Sequence, residues 1–171
     1  MPAPAAAADP IAVSKRQQAD GSHVLVHELV VDAPVSKLWS AISTAQGWKG
    51  WAALVAWVPK GEPDIIETSY SPDSRPGDPS TIRQQILARV PEVLIVFRTV
   101  KAPARFPDFD TYSKVTSVLQ LEPAGEGRTR VRLTGAGYAD TESGRRLLGF
   151  FEKGNATALE ALRGRFGPRA K

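Results

Sequence analysis

Asp140-Thr-Glu-Ser-Gly-Arg-Arg-Leu-Leu-Gly-Phe-Phe-Glu-Lys-Gly-Asn-Ala-Thr-Ala-Leu-Glu-Ala-Leu-Arg-Gly-Arg-Phe166 is the stretch on which the fold turns. Leu148, Phe151, Asn155, Leu159, Leu162 and Phe166 fall three or four residues apart, so they align as one stripe of a helix about five turns long. Asp140 or Thr141 supplies an oxygen to cap its start, and Gly167-Pro168 stops it. A helix with one long apolar stripe must lie against an apolar surface of similar extent. The rest of the chain offers mainly strands.

Val24-Leu-Val-His-Glu-Leu-Val-Val-Asp32 is the first β-rich run, bounded by Gly21-Ser22 and Ala33-Pro34. Pro34 suits a first helical turn and Asp32 stands where a cap would; Val35, Leu38, Trp39 and Ile42 then follow at helical spacing toward Gly47. Trp48-Lys-Gly-Trp51 reads as a turn with two aromatic anchors. Further strands are predicted over Leu54–Pro59, Asp64–Tyr70, Thr81–Val90, Val93–Lys101, Ser113–Glu122 and Thr129–Tyr138, separated by Pro- and Gly-rich breaks. Pro91-Glu92 is a short hairpin connection. Ile82, Ile86 and Val90 alternate with Arg83 and Arg89, and Val131 and Leu133 with Arg130 and Arg132. Such strands bury one face and wet the other, as antiparallel sheets do. The expected fold is α+β: a curved antiparallel sheet of about seven strands around the C-terminal helix, with two short helices after the first strand. A cylinder does not fill a trough, so a space remains between the two. Residues 1–20 are expected to be a disordered tail, and residues 21–167 one ligand-binding domain in which the sheet grips the helix.

The segment Val26-His-Glu-Leu-Val-Val-Asp-Ala-Pro-Val-Ser-Lys-Leu-Trp39 resembles the first strand and helix of the START-related, birch-pollen-allergen-like (SRPBCC) superfamily. Chains of that superfamily often open with an acidic or polar residue, Ala-Pro and a Val/Leu-Trp pair. Gly47-Trp48-Lys-Gly-Trp51 and Leu159-Glu-Ala-Leu162 look most like the branch related to activators of a heat-shock chaperone ATPase. The resemblance spans nearly all of residues 24–166 and implies the helix-grip fold. It also implies a choice among three activities, namely binding or transfer of apolar ligands, cyclisation of polyketides, and contact with other proteins.

Composition narrows the chemistry. The 171 residues are 42% hydrophobic and 23% charged, ordinary for one globular domain. The absence of Cys excludes thiolate metal sites and cysteine nucleophiles, and His23 and His27 alone leave little for zinc. No cofactor motif is present: Gly125-Glu-Gly127 lacks the Lys-Ser/Thr of a phosphate loop, and Asp108 and Asp110 do not form a calcium-loop pattern. The net charge of +4 gathers after Glu142, on Arg145, Arg146, Lys153, Arg163, Arg165, Arg169 and Lys171, interspersed with Glu142, Glu152 and Glu160. That pattern reads as a solvated helix face and not as a nucleic-acid surface. The longest apolar run, Ala52 to Val58, is too short to span a bilayer, so no integral membrane contact is expected. Met1 to Ala8, with its A-x-A pattern, resembles the end of a signal peptide and predicts a periplasmic or secreted protein; without that processing the chain is cytoplasmic.

Candidate ligand contacts follow from the expected trough. The aromatic residues Trp39, Trp57, Tyr70, Phe97, Phe106, Phe109, Tyr112 and Phe151 fall where it would be lined, although a plain core would use them too. Asn155 interrupts the helical stripe, Gln84 shares a face with Ile82 and Ile86, and Ser117 shares one with Val115 and Leu119. A buried amide without a partner costs about 1–3 kcal/mol, so Asn155 should meet backbone, water or ligand. The sequon Asn155-Ala156-Thr157 lies on the inner stripe, which argues against glycosylation. His27 and Glu28 point to opposite faces, and His27, in line with Leu25, Leu29 and Val31, reads as a core histidine bonded to backbone. The loop Pro103-Ala-Arg-Phe-Pro-Asp-Phe-Asp110 is long for a hairpin and has the apolar side of a lid. The expected function is binding of a small apolar molecule, lipid-like or aromatic. A cyclase or hydrolase using the same pocket, and a module docking a protein partner through the outer sheet or the basic helix, are the alternatives.

Overall fold

The computed structural model describes residues 9–167. Eight strands form one antiparallel sheet: β1 (Ala12–Gln17), β2 (His23–Val31), β3 (Val55–Trp57), β4 (Ile65–Ser69), β5 (Ile82–Val90), β6 (Leu94–Lys101), β7 (Thr116–Pro123) and β8 (Thr129–Tyr138). Their order across the sheet is β1-β2-β8-β7-β6-β5-β4-β3. The helices are α1 (Val35–Ser43), α2 (Ala45–Trp48), the single turn α3 (Phe109–Tyr112) and the long α4 (Glu142–Gly164). The curved sheet wraps α4, as a helix-grip fold requires. The expected α+β architecture holds, with one strand more than the sequence reading supplies.

That strand is β1, inside the segment expected to be a disordered tail. All six of its residues are exposed, so it carries no buried-face alternation to betray it. Backbone pairing to the edge of β2 holds it, in register from Ala12 opposite Glu28 to Gln17 opposite His23. The turn between them has Gly21 at φ 84°, and the Asp20 carboxylate accepts from the Ser22 amide at 2.9 Å. Asp-Gly before a β-run is itself a hairpin signal. Met1 to Ala8 lie outside the described residues.

Two local expectations change. Asp32 does not cap α1; Pro34 occupies that position with extended backbone and no side-chain bond, because the strand ends at Val31 and leaves Asp32 too far upstream. Val90 does not continue the face of Ile82 and Ile86. A bulge between Ile86 and Ala88 shifts the register, so Val90 faces Leu94 and is exposed. At the start of α4 it is Thr141, not Asp140, that caps, its hydroxyl accepting from the Gly144 amide at 3.1 Å.

Two buried clusters hold the sheet to the helices. The larger joins Leu29 and Val31 of β2, Leu38 and Ile42 of α1, Trp48, Ile95 of β6, Val131 of β8, and Leu159 and Leu162 of α4. The smaller joins Leu25, Val115, Tyr138 and Leu147, with Phe106, Tyr112 and Phe151 packed on it. Each fully buried Leu or Ile contributes about 1.5–3 kcal/mol, so these clusters fix where α4 crosses the sheet. His27, fully buried, adds a polar pin: its Nε2 bonds the Glu152 carbonyl of α4 at 2.9 Å, as expected of a core histidine. Glu28, on the other face, is gripped by Arg130 and Arg132.

Candidate functional site

Between the two clusters lies a cavity of about 510 Å³. Its floor is the concave face of the sheet. Alternation along each strand decides which side chains reach it: Thr68 on β4, Ile82 and Gln84 on β5, Phe97 and Thr99 on β6, Ser117 and Leu119 on β7. Phe151, Asn155 and Ala158 of α4 form the roof. The segment Ala102 to Pro107 borders the mouth.

The two ends of the cavity are aromatic. At one, Trp48 meets Phe97 edge-on with centroids 5.3 Å apart and meets Trp51 at 6.2 Å. Both indoles are fixed by backbone carbonyls: Trp48 Nε1 donates to Ile42 at 2.6 Å, and Trp51 Nε1 to Gly47 at 2.9 Å. Gly47 is required here, since a Cβ would fall 2.2 Å from the Ser40 carbonyl oxygen. At the other end Tyr112 stacks on Phe151 with centroids 4.4 Å apart, and Phe106 packs on both. Burial pushes the Tyr112 hydroxyl up to about 12, with the neighbouring Thr99 hydroxyl acting in the opposite direction. Tyr112 is therefore a neutral donor at any physiological pH.

Few polar groups face the interior. The Thr99 hydroxyl donates to Gln84 Oε1 at 2.7 Å, and the Gln84 amide N–H groups have no hydrogen bond to another protein group among the described residues. Thr68 bonds the Ile82 carbonyl at 3.4 Å. The Asn155 amide has no hydrogen bond to another protein group among the described residues, and it is half-buried. The loop at the mouth is latched to α4. Asp108, in left-handed backbone at φ 58°, accepts from Ser143 Oγ at 2.5 Å and from Arg146 Nε and Nη2, both at 2.9 Å. The Ser143 hydrogen bond first, and then Arg146, hold the Asp108 carboxyl below its ordinary range.

Of the residues singled out in the sequence, the cavity brings together Tyr70, Gln84, Phe97, Phe106, Tyr112, Ser117, Phe151 and Asn155. It does not include Trp39, Trp57 or Phe109. Trp57 pairs with Glu67 and takes the convex face, while its neighbour Ala56, opposite Thr68, takes the concave one. Trp39 lies beside the buried Leu38, Ala41 and Ile42 and packs against the larger core cluster. Phe109 opens the one-turn α3, in which Tyr112 takes the stacking position on Phe151. Trp48, Trp51, Thr99, Arg105 and Phe150 are lining residues the sequence reading did not select. Thr99 shares a strand face with Phe97 and was accessible to the same alternation argument. Glu67 is buried on the convex side, where it accepts from the Gly77 amide and the Thr81 hydroxyl. A second depression, of about 590 Å³, lies between α1, α2 and the end of α4. Ser36, Lys37, Ser40, Thr44, Gln46 and Arg165 wall it beside Ala41 and Phe166, so it is an open groove of mixed character.

Among the described residues no helix is long and apolar enough to cross a membrane, and no three His, Cys, Asp or Glu side chains gather to hold a metal. The model of the family "Polyketide cyclase / dehydrase and lipid transport" matches residues 22–167. The chain belongs to this family. Solved structures share its fold. Ms6760 from Mycobacterium smegmatis superposes with a TM-score of 0.68 at 17% identity, covering 95% of this chain and 100% of that one. The Aha1 dimer from Colwellia psychrerythraea gives 0.62 at 17% identity, covering 84% and 95%. The di-domain ARO/CYC BexL from the BE-7585A biosynthetic pathway gives 0.62 at 15% identity, covering 82% of this chain and 45% of that one. No curated protein matches the sequence. The superfamily inferred from the first strand and helix is thus the one to which the family and the fold belong.

Proposed function

We propose that the protein binds a small apolar molecule, lipid-like or aromatic, in the cavity between the sheet and α4. The observation that carries this reading is a cavity of about 510 Å³ walled at both ends by aromatic side chains, with only a few polar groups inside. Sites of this size and character suit drug-sized ligands. The family's description, which couples cyclases with lipid transport, agrees with it.

The lining favours binding over proton-transfer chemistry. Its ionisable groups among the described residues are Tyr70, Arg105 and Tyr112, and Tyr112 stays neutral. A general acid or base works best with a pKa near the operating pH, and no lining carboxylate or imidazole supplies one. His27 is bonded to the Glu152 carbonyl and Glu67 lies under the opposite face, so neither is placed to act on a guest.

Tryptophan fluorescence tests the proposal directly, because Trp48 and Trp51 stand in the wall. Titration with sterols, fatty acids and fused aromatics should give a saturable change for at least one class. A ligand of ~20 heavy atoms at ~0.3 kcal/mol each binds with about 6 kcal/mol, in the tens of micromolar. Silence across all three classes would reject the reading. Asn155→Leu should weaken uptake without unfolding the protein, and unchanged affinity would remove Asn155 from the site.

A further inference from the structure

We infer that the guest is an amphiphilic anion, its apolar body in the cavity and its carboxylate or phosphate head group held at the mouth by Arg105. The inference rests on the proposed binding of an apolar molecule and adds the chemistry of one end of it. Arg105 is the charged side chain in the described lining, and no lining carboxylate offsets it. Arg16, Arg75 and Arg128 also have no side-chain partner among the described residues, but none of them lines the cavity, and other arginines are met by oxygen. Arg132 meets Glu28, Arg98 meets the Thr116 hydroxyl, Arg146 meets Asp108, and Arg165 meets the Gly47 carbonyl. Arg105 has no such partner among the described residues.

The acid nearest in sequence is already committed. Asp108 turns to α4, where Ser143 and Arg146 take both carboxylate oxygens. The loop therefore separates its charges, sending the anion to the helix and leaving the cation at the rim. The Phe106 amide, bonded to the Pro103 carbonyl at 2.8 Å, closes the turn that contains Arg105. Phe106 itself reaches into the Tyr112 and Phe151 cluster, so the guanidinium and the aromatic wall sit on adjacent residues of one turn. A neutral guest would use only the wall. An anionic head group gains charge-assisted, bidentate hydrogen bonds at an edge that its own tail partly dries.

Matched probes test this: dodecanoate and dodecyl phosphate as anions, methyl dodecanoate as the neutral counterpart, titrated into the wild-type protein and Arg105→Gln. The wild type should bind an anion about fivefold or more tightly than the ester, and Arg105→Gln should bring that ratio to within about twofold of one. The two anions compared with each other show which head group the rim prefers. Equal affinities for anions and ester in the wild type, or a ratio that survives Arg105→Gln with folding intact by circular dichroism, would overturn the inference and leave apolar binding standing. Failure of all three probes to bind a wild type whose tryptophan signal still responds to a sterol or fused aromatic would overturn this inference and leave apolar binding standing; failure of those classes as well would overturn both.

Discussion

At Gly144, in the first turn of α4, a Cβ would sit 1.8 Å from the Ala139 carbonyl oxygen, where backbone cannot yield cheaply. Gly149, further along the same helix, has open space at the corresponding point. The two glycines therefore respond to alanine with opposite signs. Gly144→Ala should cost more than about 2 kcal/mol by forcing open the corner between β8 and α4, while Gly149→Ala should add about 0.5–1 kcal/mol through helix propensity. Chemical denaturation of the two variants checks both, and a Gly144→Ala protein as stable as wild type would mean the corner is not a tight joint. This is also the scale at which the sequence is hardest to read. His27 was legible because strand alternation alone sets its neighbours. Trp57 was not, because whether it or Ala56 takes the concave face depends on pairing with Glu67 and Thr68, ten or more residues away. The same holds for Gly144, whose need for a bare Cα arises from a chain path that no local pattern shows.

The loop and one-turn helix between β6 and β7 are tied to α4 by one acid. Asp108 sits in left-handed backbone, which Asn also tolerates, so Asp108→Asn keeps the conformation and removes the charge. The latch to Arg146 and Ser143 should loosen, and trypsin should cut after Arg105 several-fold faster, as read by mass spectrometry. Equal cleavage rates would show that packing of Phe106 alone holds the loop. The pH dependence has a definite sign. Because Ser143, and then Arg146, lower the Asp108 pKa in the folded state, the latch's contribution is complete above the ordinary carboxylate range. It is lost as pH falls through the lowered value, so Asp108→Asn should mimic acid. Elements as a class were readable where periodicity was strong: the α4 stripe and the strands from Ile65 to Tyr138 follow from spacing and turn residues. β1 was not, since a fully exposed edge strand is set by backbone hydrogen bonds, and only Asp20-Gly21 hinted at the turn. The loop's aromatic content was legible in composition, but its latch joins Asp108 to residues 35 and 38 positions later.

For the molecule as a whole, a hollow between two packed clusters is a stability deficit that a guest or a side chain can remove. Ser117 lies on the cavity floor, opposite Phe97 on one neighbouring strand and Gly135 on the other. Ser117→Leu places apolar volume in the cavity and should raise stability by about 0.5–2 kcal/mol, the usual gain from filling a void, provided the new side chain finds a rotamer among Phe97 and Leu119. The same change should compete with the guest. Ligand present at 100 times its dissociation constant stabilises the native state by about 2.7 kcal/mol, which for a chain of this size raises Tm by roughly 5–10 °C. Wild type should show that shift with any probe that moves the tryptophan signal, whereas Ser117→Leu should start from a higher Tm and shift little. If Ser117→Leu retains the full ligand shift, the guest does not contact the floor at Ser117 and lies in another part of the cavity or on another surface. A variant that melts below wild type and also loses the shift signals overpacking instead. Ser117→Ala then keeps the test open, because it deletes one hydroxyl without adding volume and should preserve binding of an apolar probe in this cavity.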